Sequence, residues 1–351
     1  MKAGVFLVAG RFPGQDDSEV LRRSVDAVVC AEAAGFDEVW IAEHHFTPYG
    51  VCPSAVTFAA HALGMTRRIA VGTAVSVLST AHPVALAEQA ALLDHLAGGR
   101  FRLGVGRGGP WVDLEVFGTG LDRYERGFAE SLDLVLDCLT TGRARADGEH
   151  FTFREVPIVP TPRPVPLAVA ATSPGTVELA AARGLPMLLG MHIGDEDKAE
   201  MVRHYDQTTA ALGRAPASVK HISTVVAHVA DSREQACADL RAAMPDWLAA
   251  GLAAHTPVDD RPRPSRDPHA YTELLCSLHP VGSADECVER LLDSARNTGI
   301  EHVIMMVEGA GSHERTLANI TRLGAEVLPR LGNLSSPEAP GSGSAADRGA
   351  R

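Results

Sequence analysis

Short apolar runs alternate along this chain with longer segments in which apolar residues recur every three or four positions. The short runs predict buried strands, and the helical spacing predicts amphipathic helices. Strands are predicted at 3–9, 38–42, 68–75, 101–105, 166–171, 186–190, 219–229 and 301–307. Helices are predicted at 18–35, 53–66, 83–97, 122–141, 174–183, 195–213, 231–250, 283–298 and 312–331.

Eight predicted strands, each with a following helix, are typical of the (β/α)8 or TIM barrel, an α/β fold. A doubly wound sheet divided into two domains is the alternative. No linker-like change of composition divides the chain, so we predict a single barrel domain with insertions over residues 1–332.

Two insertions and a tail depart from this alternation. Residues 142–165 are rich in proline and contain a short β-like piece at 151–153. Residues 251–281 are rich in Pro, Asp and Arg, which predicts no regular element there. A loop of that length in a compact domain is typical of a lid or a disordered segment, and we expect a lid. The tail at 333–351 is predicted to be disordered, because it consists largely of Ser, Gly, Ala and Pro.

Composition narrows the class of protein. The net charge of −12 makes nucleic acid a poor partner and favours an enzyme that acts on small molecules. The six cysteines include no C-x-x-C pair, so reduced, mostly structural thiols in a cytoplasmic protein are expected, without a zinc ribbon. The apolar N-terminus is better explained as a strand than as a signal peptide. No apolar run approaches the roughly 18 residues that a membrane span needs.

The segment most informative about chemistry follows the second predicted strand. Glu43, His44 and His45 are adjacent where this strand ends and a loop begins. In parallel α/β folds, ligands and catalytic groups gather at the carboxyl ends of the strands. This position predicts a functional site, and the plainer alternatives are a metal pair or a surface turn.

Two further segments are suited to binding an anion. Arg107 follows the fourth predicted strand in Arg-Gly-Gly, where a guanidinium can hold a phosphate by paired hydrogen bonds and glycines allow close approach. Ser173 and Thr176 lie at the start of a predicted helix, where hydroxyls and free backbone N–H groups form an anion site. Plain N-capping of the helix by the same hydroxyls is the alternative.

Taken together, the motifs in their order resemble those of the bacterial luciferase-like flavin monooxygenases, and most closely the luciferase α subunit. The resemblance covers about residues 1–332, and the matching segments are 35–37, 43–50, 71–74, 80–84, 99–104, 107–108, 116–119, 184–187, 280–282, 286–287 and 298–300. It implies a (β/α)8 barrel that uses reduced FMN and O2.

The resemblance also implies roles for individual residues. His44 is the leading catalytic residue, expected to stabilise a peroxide on the flavin ring, and Glu43 and His45 are included with it in the catalytic set. Glu43 could orient His44 or bind the edge of the flavin ring, and the alternative is that it holds the mouth of the barrel by a salt bridge. Arg107, Arg126, Ser173 and Thr176 are expected to hold the FMN phosphate. For Arg126, an ion pair on a helix surface is the alternative. The Ala74–Val75 bond corresponds to a non-proline cis peptide beneath the flavin ring, and both residues are expected at the cofactor.

Two positions depart from the luciferase pattern. Thr172 stands where luciferase has a glutamate that helps to hold the flavin, so Thr172 is expected at the cofactor and only its exact contact is open. Gly106 stands where luciferase α subunits carry a cysteine near the reactive face of the flavin. This glycine opens space and hints at a different substrate.

We therefore expect a monooxygenase that uses reduced FMN from a separate flavin reductase, because no convincing NAD(P)H site is present. The oxygen would pass through a C4a-peroxide to an organic small molecule. The substrate is expected to be a larger natural product, as in antibiotic biosynthesis, with weak light emission as a special case. A homodimer is expected from the resemblance. A deazaflavin-dependent hydride-transfer enzyme and a non-catalytic partner subunit are the alternatives.

Overall fold

Eight parallel strands close into a barrel in the computed structural model, which describes residues 1–214, 219–259, 261 and 266–332. The predicted tail at 333–351 lies outside the described residues. In chain order the strands are β1 (Lys2–Leu7), β2 (Glu38–Ile41), β3 (Ala70–Thr73), β4 (Ser76–Val77), β5 (Phe101–Gly106), β6 (Arg143–Asp147), β7 (Thr152–Pro157), β8 (Leu167–Ala171), β9 (Met187–Leu189), β10 (Ile222–Val226), β11 (His228–Val229), β12 (Val281–Gly282) and β13 (His302–Met306).

The barrel closes because β1 pairs with both β2 and β13, while β3 pairs with β2 and β5. The circuit continues from β5 through β8, β9 and β10 back to β13. The prediction of a TIM barrel is confirmed, and the doubly wound alternative is excluded because an open sheet would leave two edges. Outside the barrel, β6 and β7 form an antiparallel hairpin within the predicted 142–165 insertion.

Helices surround the strands. They are α1 (Asp17–Ala33), α2 (Ala55–Met65), α3 (Pro83–Ala97), α4 (Asp113–Val116), α5 (Gly120–Glu125), α6 (Phe128–Thr141), α7 (Pro174–Arg183), α8 (Asp195–Ala211), α9 (Arg233–Ala254), α10 (Pro268–Leu278), α11 (Ala284–Thr298) and α12 (His313–Arg322). A π-helical turn at Leu323–Val327 and a 3-10 turn at Leu328–Arg330 follow α12. No helix in the described ranges is long and apolar enough to cross a membrane.

The predicted absence of regular structure at 251–281 is wrong. Helix α9 extends to Ala254, and α10 forms over Pro268–Leu278. The Asp267 carboxylate caps α10 by accepting hydrogen bonds from the N–H groups of His269 and Ala270, and Pro268 occupies the first turn. Aspartate followed by proline is therefore a helix start here, although the polar composition predicted a loop.

The predicted long helix at 122–141 is also divided. The structure has α5, which ends at Glu125, and then α6, which begins at Phe128. The predicted strand at 219–229 is likewise split into β10 and β11. The long stretches were predicted from average apolar spacing, which does not register a short change of direction inside a segment.

Bulky side chains fill the barrel below its mouth, and the cavity described below lies at the carboxyl ends of the strands. Trp40 packs inside the barrel with Ala168, Leu188, Ile222 and Ile304. A Cβ at Gly72 would lie 2.7 Å from the Trp40 ring, so the glycine makes room for this ring. Beneath it, the buried Glu38 carboxylate accepts hydrogen bonds from Trp40, Lys2 and His302. The barrel is therefore a packed core below its carboxyl-end mouth.

Candidate active site

The carboxyl ends of the strands surround a cavity of about 370 Å³. It is lined by Glu43, His44 and His45 after β2, by Ala74 and Val75 after β3, by Trp111 and Asp113 after β5, and by His255 at the end of α9. The predicted catalytic segment therefore lies at this cavity. Among the described residues, no group of three or more His, Cys, Asp or Glu side chains is placed to hold a metal ion.

Glu43 ties the mouth of the barrel together. Its Oε2 accepts a hydrogen bond from the backbone N–H of Ala55 at 2.9 Å, and its Oε1 accepts one from the N–H of Val77 at 3.0 Å. The two bonds join the start of α2 to β4. Of the roles left open for Glu43, the structure favours holding the mouth, because each carboxylate oxygen already has a backbone partner.

The imidazole of His44 is placed by its neighbours on both sides. Its ring meets the edge of Tyr49 at 5.0 Å, and a Cβ at Gly50 would lie 2.6 Å from its Nδ1. This Nδ1 is buried and has no hydrogen-bond partner among the described residues. Burial lowers the pKa of His44 to about 3, and the nearby His255 and His45 add to the effect. The ring is therefore neutral at physiological pH and can exchange hydrogen bonds with a ligand.

His45 lies on the opposite side of the same segment. Its Nε2 is 3.8 Å from Glu43 Oε1, and its ring contacts the edge of Phe117 at 5.0 Å. Phe46 has a positive φ, and its exposed side chain belongs to the same rim. His45 is thus part of an aromatic rim at the cavity entrance.

Arg107 has the features of a side chain that could bind an anion. It follows β5, and its guanidinium lies over the rings of Tyr124 and Phe128 at 5.8 and 5.5 Å. Its Nε is buried without a hydrogen-bond partner in the described part of the chain. A buried guanidinium N–H is costly to leave unpaired, so an anionic ligand at this point would restore the missing bond.

The second predicted arginine is engaged elsewhere. Arg126 donates from Nε to Asp122 Oδ1 at 2.6 Å, and its Nη1 lies 2.5 Å from Glu149 Oε1. The side chain is 57% exposed. These ion pairs match the surface alternative for Arg126, which would have to leave two carboxylates to bind a phosphate.

The predicted anion-binding hydroxyls of Ser173 and Thr176 lie after the strand that neighbours the one before Arg107. Since β5 and β8 are neighbours in the barrel, the loop after β8 lies next to the loop after β5. The hydroxyls of Ser173 and Thr176 are 3.1 Å apart, and Ser173 makes no side-chain cap to α7. The capping alternative is therefore not realised, and the Ser173 hydroxyl is available to a ligand. Thr172 is exposed at the edge of the same loop.

The Ala74–Val75 peptide bond is cis, as the resemblance implies. Ala74 and Val75 lie in the cavity wall. A Cβ at Gly106 would lie 2.5 Å from Val75 Cγ2. The expectation that Gly106 opens space is therefore wrong, because the Val75 side chain occupies the position.

Two polar residues of the cavity were missed by the sequence reasoning. Asp113 is buried in the wall, and burial raises the pKa of its carboxyl. His255 comes from the predicted lid and contacts the Trp111 ring at 4.9 Å. A local pattern has no signal for His255, because it reaches the cavity through contacts between segments that are distant in sequence, whereas Asp113 follows β5 and could have been found by its position after a strand.

A barrel with a neutral histidine in a cavity at its mouth, and with an arginine and hydroxyls after two neighbouring strands, is suited to an enzyme that binds a phosphate-bearing ligand. A family profile described as luciferase-like monooxygenase matches residues 1–302, and the chain belongs to this family. It is accordingly an enzyme of the luciferase-like, flavin-dependent monooxygenase family.

Individual relatives agree with this assignment. The chain is 31% identical to an alkanal monooxygenase alpha chain from a Kryptophanaron alfredi symbiont, over 96% of this chain and 100% of the relative. Its fold is similar to that of monooxygenase RslO1 from Streptomyces bottropensis, with a TM-score of 0.81, 23% identity and coverage of 94% and 99%. It is also similar to the oxygenating constituent of 3,6-diketocamphane monooxygenase from Pseudomonas putida in complex with FMN, with a TM-score of 0.73, 18% identity and coverage of 94% and 98%.

Proposed function

We propose that this protein is a monooxygenase that binds reduced FMN, supplied by a separate flavin reductase, and transfers one atom of O2 to an organic small molecule. Reduced FMN would supply the two electrons that activate O2. Membership of the family supports the reaction class. We give the name anion cradle to Arg107 together with Ser173 and Thr176 after the neighbouring strand. The buried Nε of Arg107, which has no partner among the described residues, is the observation that carries the choice of a phosphate-bearing cofactor.

The cradle suits a phosphate in charge and in geometry. Arg107 contributes a buried, unpaired N–H, and the N-terminus of α7 adds backbone N–H groups and its positive end. Ser173 and Thr176 offer hydroxyls that do not cap the helix. We assign the main grip to these three residues, with Arg126 as a weaker contributor because of its two ion pairs.

His44 provides the polar contact at the reacting end of the cavity. Since burial lowers its pKa to about 3, it acts as a neutral ring that donates or accepts a hydrogen bond and passes a proton through its two nitrogens. It does not act as a standing cation. Ala74 and Val75 form the apolar wall that receives the flavin ring.

The end of α9 and the segment after it exclude water from this space. The N–H of Val112 donates to the carbonyl of Thr256 at 2.9 Å, and the N–H of Val258 donates to the carbonyl of Pro110 at 2.9 Å. These bonds fasten the start of the predicted lid to the loop after β5. Closing a site in this way protects reactive intermediates from hydrolysis and proton leakage.

The remaining details follow the sequence argument. We propose a natural product of larger size as the substrate, with light emission as a secondary outcome, and a homodimer as the working form. The six cysteines are all unpaired, which agrees with the expected cytoplasmic location.

An anaerobic titration with photoreduced FMN tests the proposal. We expect saturable binding by the purified protein, followed on addition of O2 by slow release of H2O2. His44→Ala should bind reduced FMN similarly but release H2O2 faster, because it lacks the polar contact at the reacting end.

The deazaflavin F420 is the control ligand, because F420-dependent enzymes share this fold. Saturable binding of reduced F420 without binding of reduced FMN would overturn the proposal in favour of hydride transfer. Failure to bind either cofactor would favour a non-catalytic subunit.

A further inference from the structure

One wall of the cavity is built from two segments that are held together as a unit. His255 is the C-terminal cap of α9, and Trp111 and Asp113 follow β5. The backbone hydrogen bonds of Val112 and Val258 join the two segments. His255 therefore has a fixed position at the cavity, although it belongs to the insertion that was predicted to be a lid.

The hydrogen bonding of His255 decides which of its nitrogens can meet a ligand. Its Nδ1 lies 2.8 Å from the carbonyl oxygen of Gly251. A carbonyl only accepts, so in the neutral ring Nδ1 carries the proton and Nε2 carries a lone pair. Nε2 has no hydrogen-bond partner among the residues that the structure describes, and the ring lines the cavity.

The same contacts fix the plane of the ring. His255 is tilted against Trp111 at 4.9 Å and meets Tyr49 edge-on at 6.0 Å. Gly251 allows α9 to approach this closely, because a Cβ there would lie 2.5 Å from the Tyr49 ring. The acceptor nitrogen is thus presented from a rigid aromatic frame, which favours a specific contact over an adaptable one.

We propose that His255 determines substrate specificity by accepting, at Nε2, a hydrogen bond from a hydroxyl group of a hydroxyl-bearing organic substrate. This inference rests on the proposed monooxygenase function and names the substrate class of the same cavity. Trp111 lies in the same wall, and the Tyr49 ring stacks on Trp247 at 4.7 Å, so the two rings that contact His255 hold it in place. Asp113, buried in the same wall, adds carboxylate oxygen as a second kind of hydrogen-bond acceptor, so the wall selects for substrates with hydrogen-bond donors.

A matched pair of probes tests the hydrogen bond. 2-Naphthol carries a hydroxyl donor, and 2-methoxynaphthalene has a similar ring system without one. Binding of each is measured by anaerobic calorimetry with the full-length protein saturated with reduced FMN. We expect 2-naphthol to bind about 5- to 10-fold more tightly, as one net hydrogen bond gives.

His255→Phe keeps a ring against Trp111 and removes the acceptor. We expect the preference for 2-naphthol to fall to about 1-fold, while the Kd of 2-methoxynaphthalene and the Kd of reduced FMN stay close to those of the wild type. The matched control is His269→Phe, which removes an exposed histidine on α10 away from the cavity and should keep the preference.

The outcomes separate this inference from its alternatives. If His255 serves only to cap α9 through Gly251, His255→Phe weakens both probes equally and the ratio does not change, which overturns the inference. No preference in the wild type overturns it as well. Failure of the wild type to bind reduced FMN would overturn the proposed function instead.

Discussion

The substitution Gly50→Ala tests whether the position of His44 depends on the absence of a side chain beside it. A Cβ at this position would lie 2.5 Å from the carbonyl oxygen of Val8 and 2.6 Å from His44 Nδ1. Both distances are too short for an unstrained contact. The Val8 carbonyl belongs to the backbone just after β1 and cannot turn away as a side chain could. The chain must move, or the His44 ring must leave its place.

The size of the effect follows from overpacking. An added methyl group in a well-packed site costs about 1–3 kcal/mol, so the free energy of unfolding should fall by that amount in urea titrations. We also expect faster release of H2O2 after reduced FMN and O2 are mixed, as in His44→Ala. The displaced ring would no longer hold its present position in the cavity wall.

Gly64→Ala is the matched control. Gly64 lies in α2, and a Cβ there would meet no atom within 4 Å. The same chemical change should therefore stabilise the protein by about 0.5–1 kcal/mol and leave H2O2 release unchanged. The reasoning would be refuted by a Gly50→Ala protein that is as stable as wild type and releases H2O2 at the wild-type rate.

Two further predictions concern the cofactor and pH. Arg107→Ala should weaken the binding of reduced FMN by about 10- to 100-fold, which is the value of a charge-assisted hydrogen bond. Arg126→Ala should change this binding by less than about 3-fold, because Arg126 is exposed and already paired with carboxylates. Equal losses for the two variants in an anaerobic titration would contradict this assignment. Burial also lowers the pKa of His44, His221 and His279 from 6.5 to about 3, 4 and 3. The unfolded chain therefore binds more protons below pH 6.5, and stability should fall as the pH drops from 6.5 towards 4, by up to about 4 kcal/mol per pH unit if all three respond. Urea midpoints that stay constant over this range would show that these histidines are not buried as neutral rings.

The sequence predicted the barrel because its signals are local. Helices α3 and α7 were predicted with their observed bounds, since each starts at a proline and ends before a glycine in the left-handed conformation. The helix α10 was missed where an Asp-Pro start lies inside a polar stretch. The spacing of apolar residues indicates which face of a segment is buried. This signal is weak where a short helix buries little of its surface.

The site was predictable to the extent that its residues follow strands directly. His44, Arg107 and Ser173 each come within a few residues of a strand end, and the barrel brings such positions to one edge. His255 reaches the cavity only because two backbone hydrogen bonds join segments that are more than 140 residues apart. No pattern within either segment encodes that pairing, so the substrate wall had to come from the structure.

The three adjacent residues of the Glu-His-His segment show why neighbouring titratable groups need not share one task. Both carboxylate oxygens of Glu43 accept hydrogen bonds from backbone N–H groups of α2 and β4. These bonds fix the loop that carries the next two residues. His44 is left with a buried nitrogen that no described protein group satisfies, while His45 packs against the aromatic rim at Phe117. An unsatisfied buried nitrogen is destabilising unless a ligand uses it. In the proposed function the chemistry of the segment therefore falls to His44, while Glu43 fixes the loop and His45 belongs to the rim.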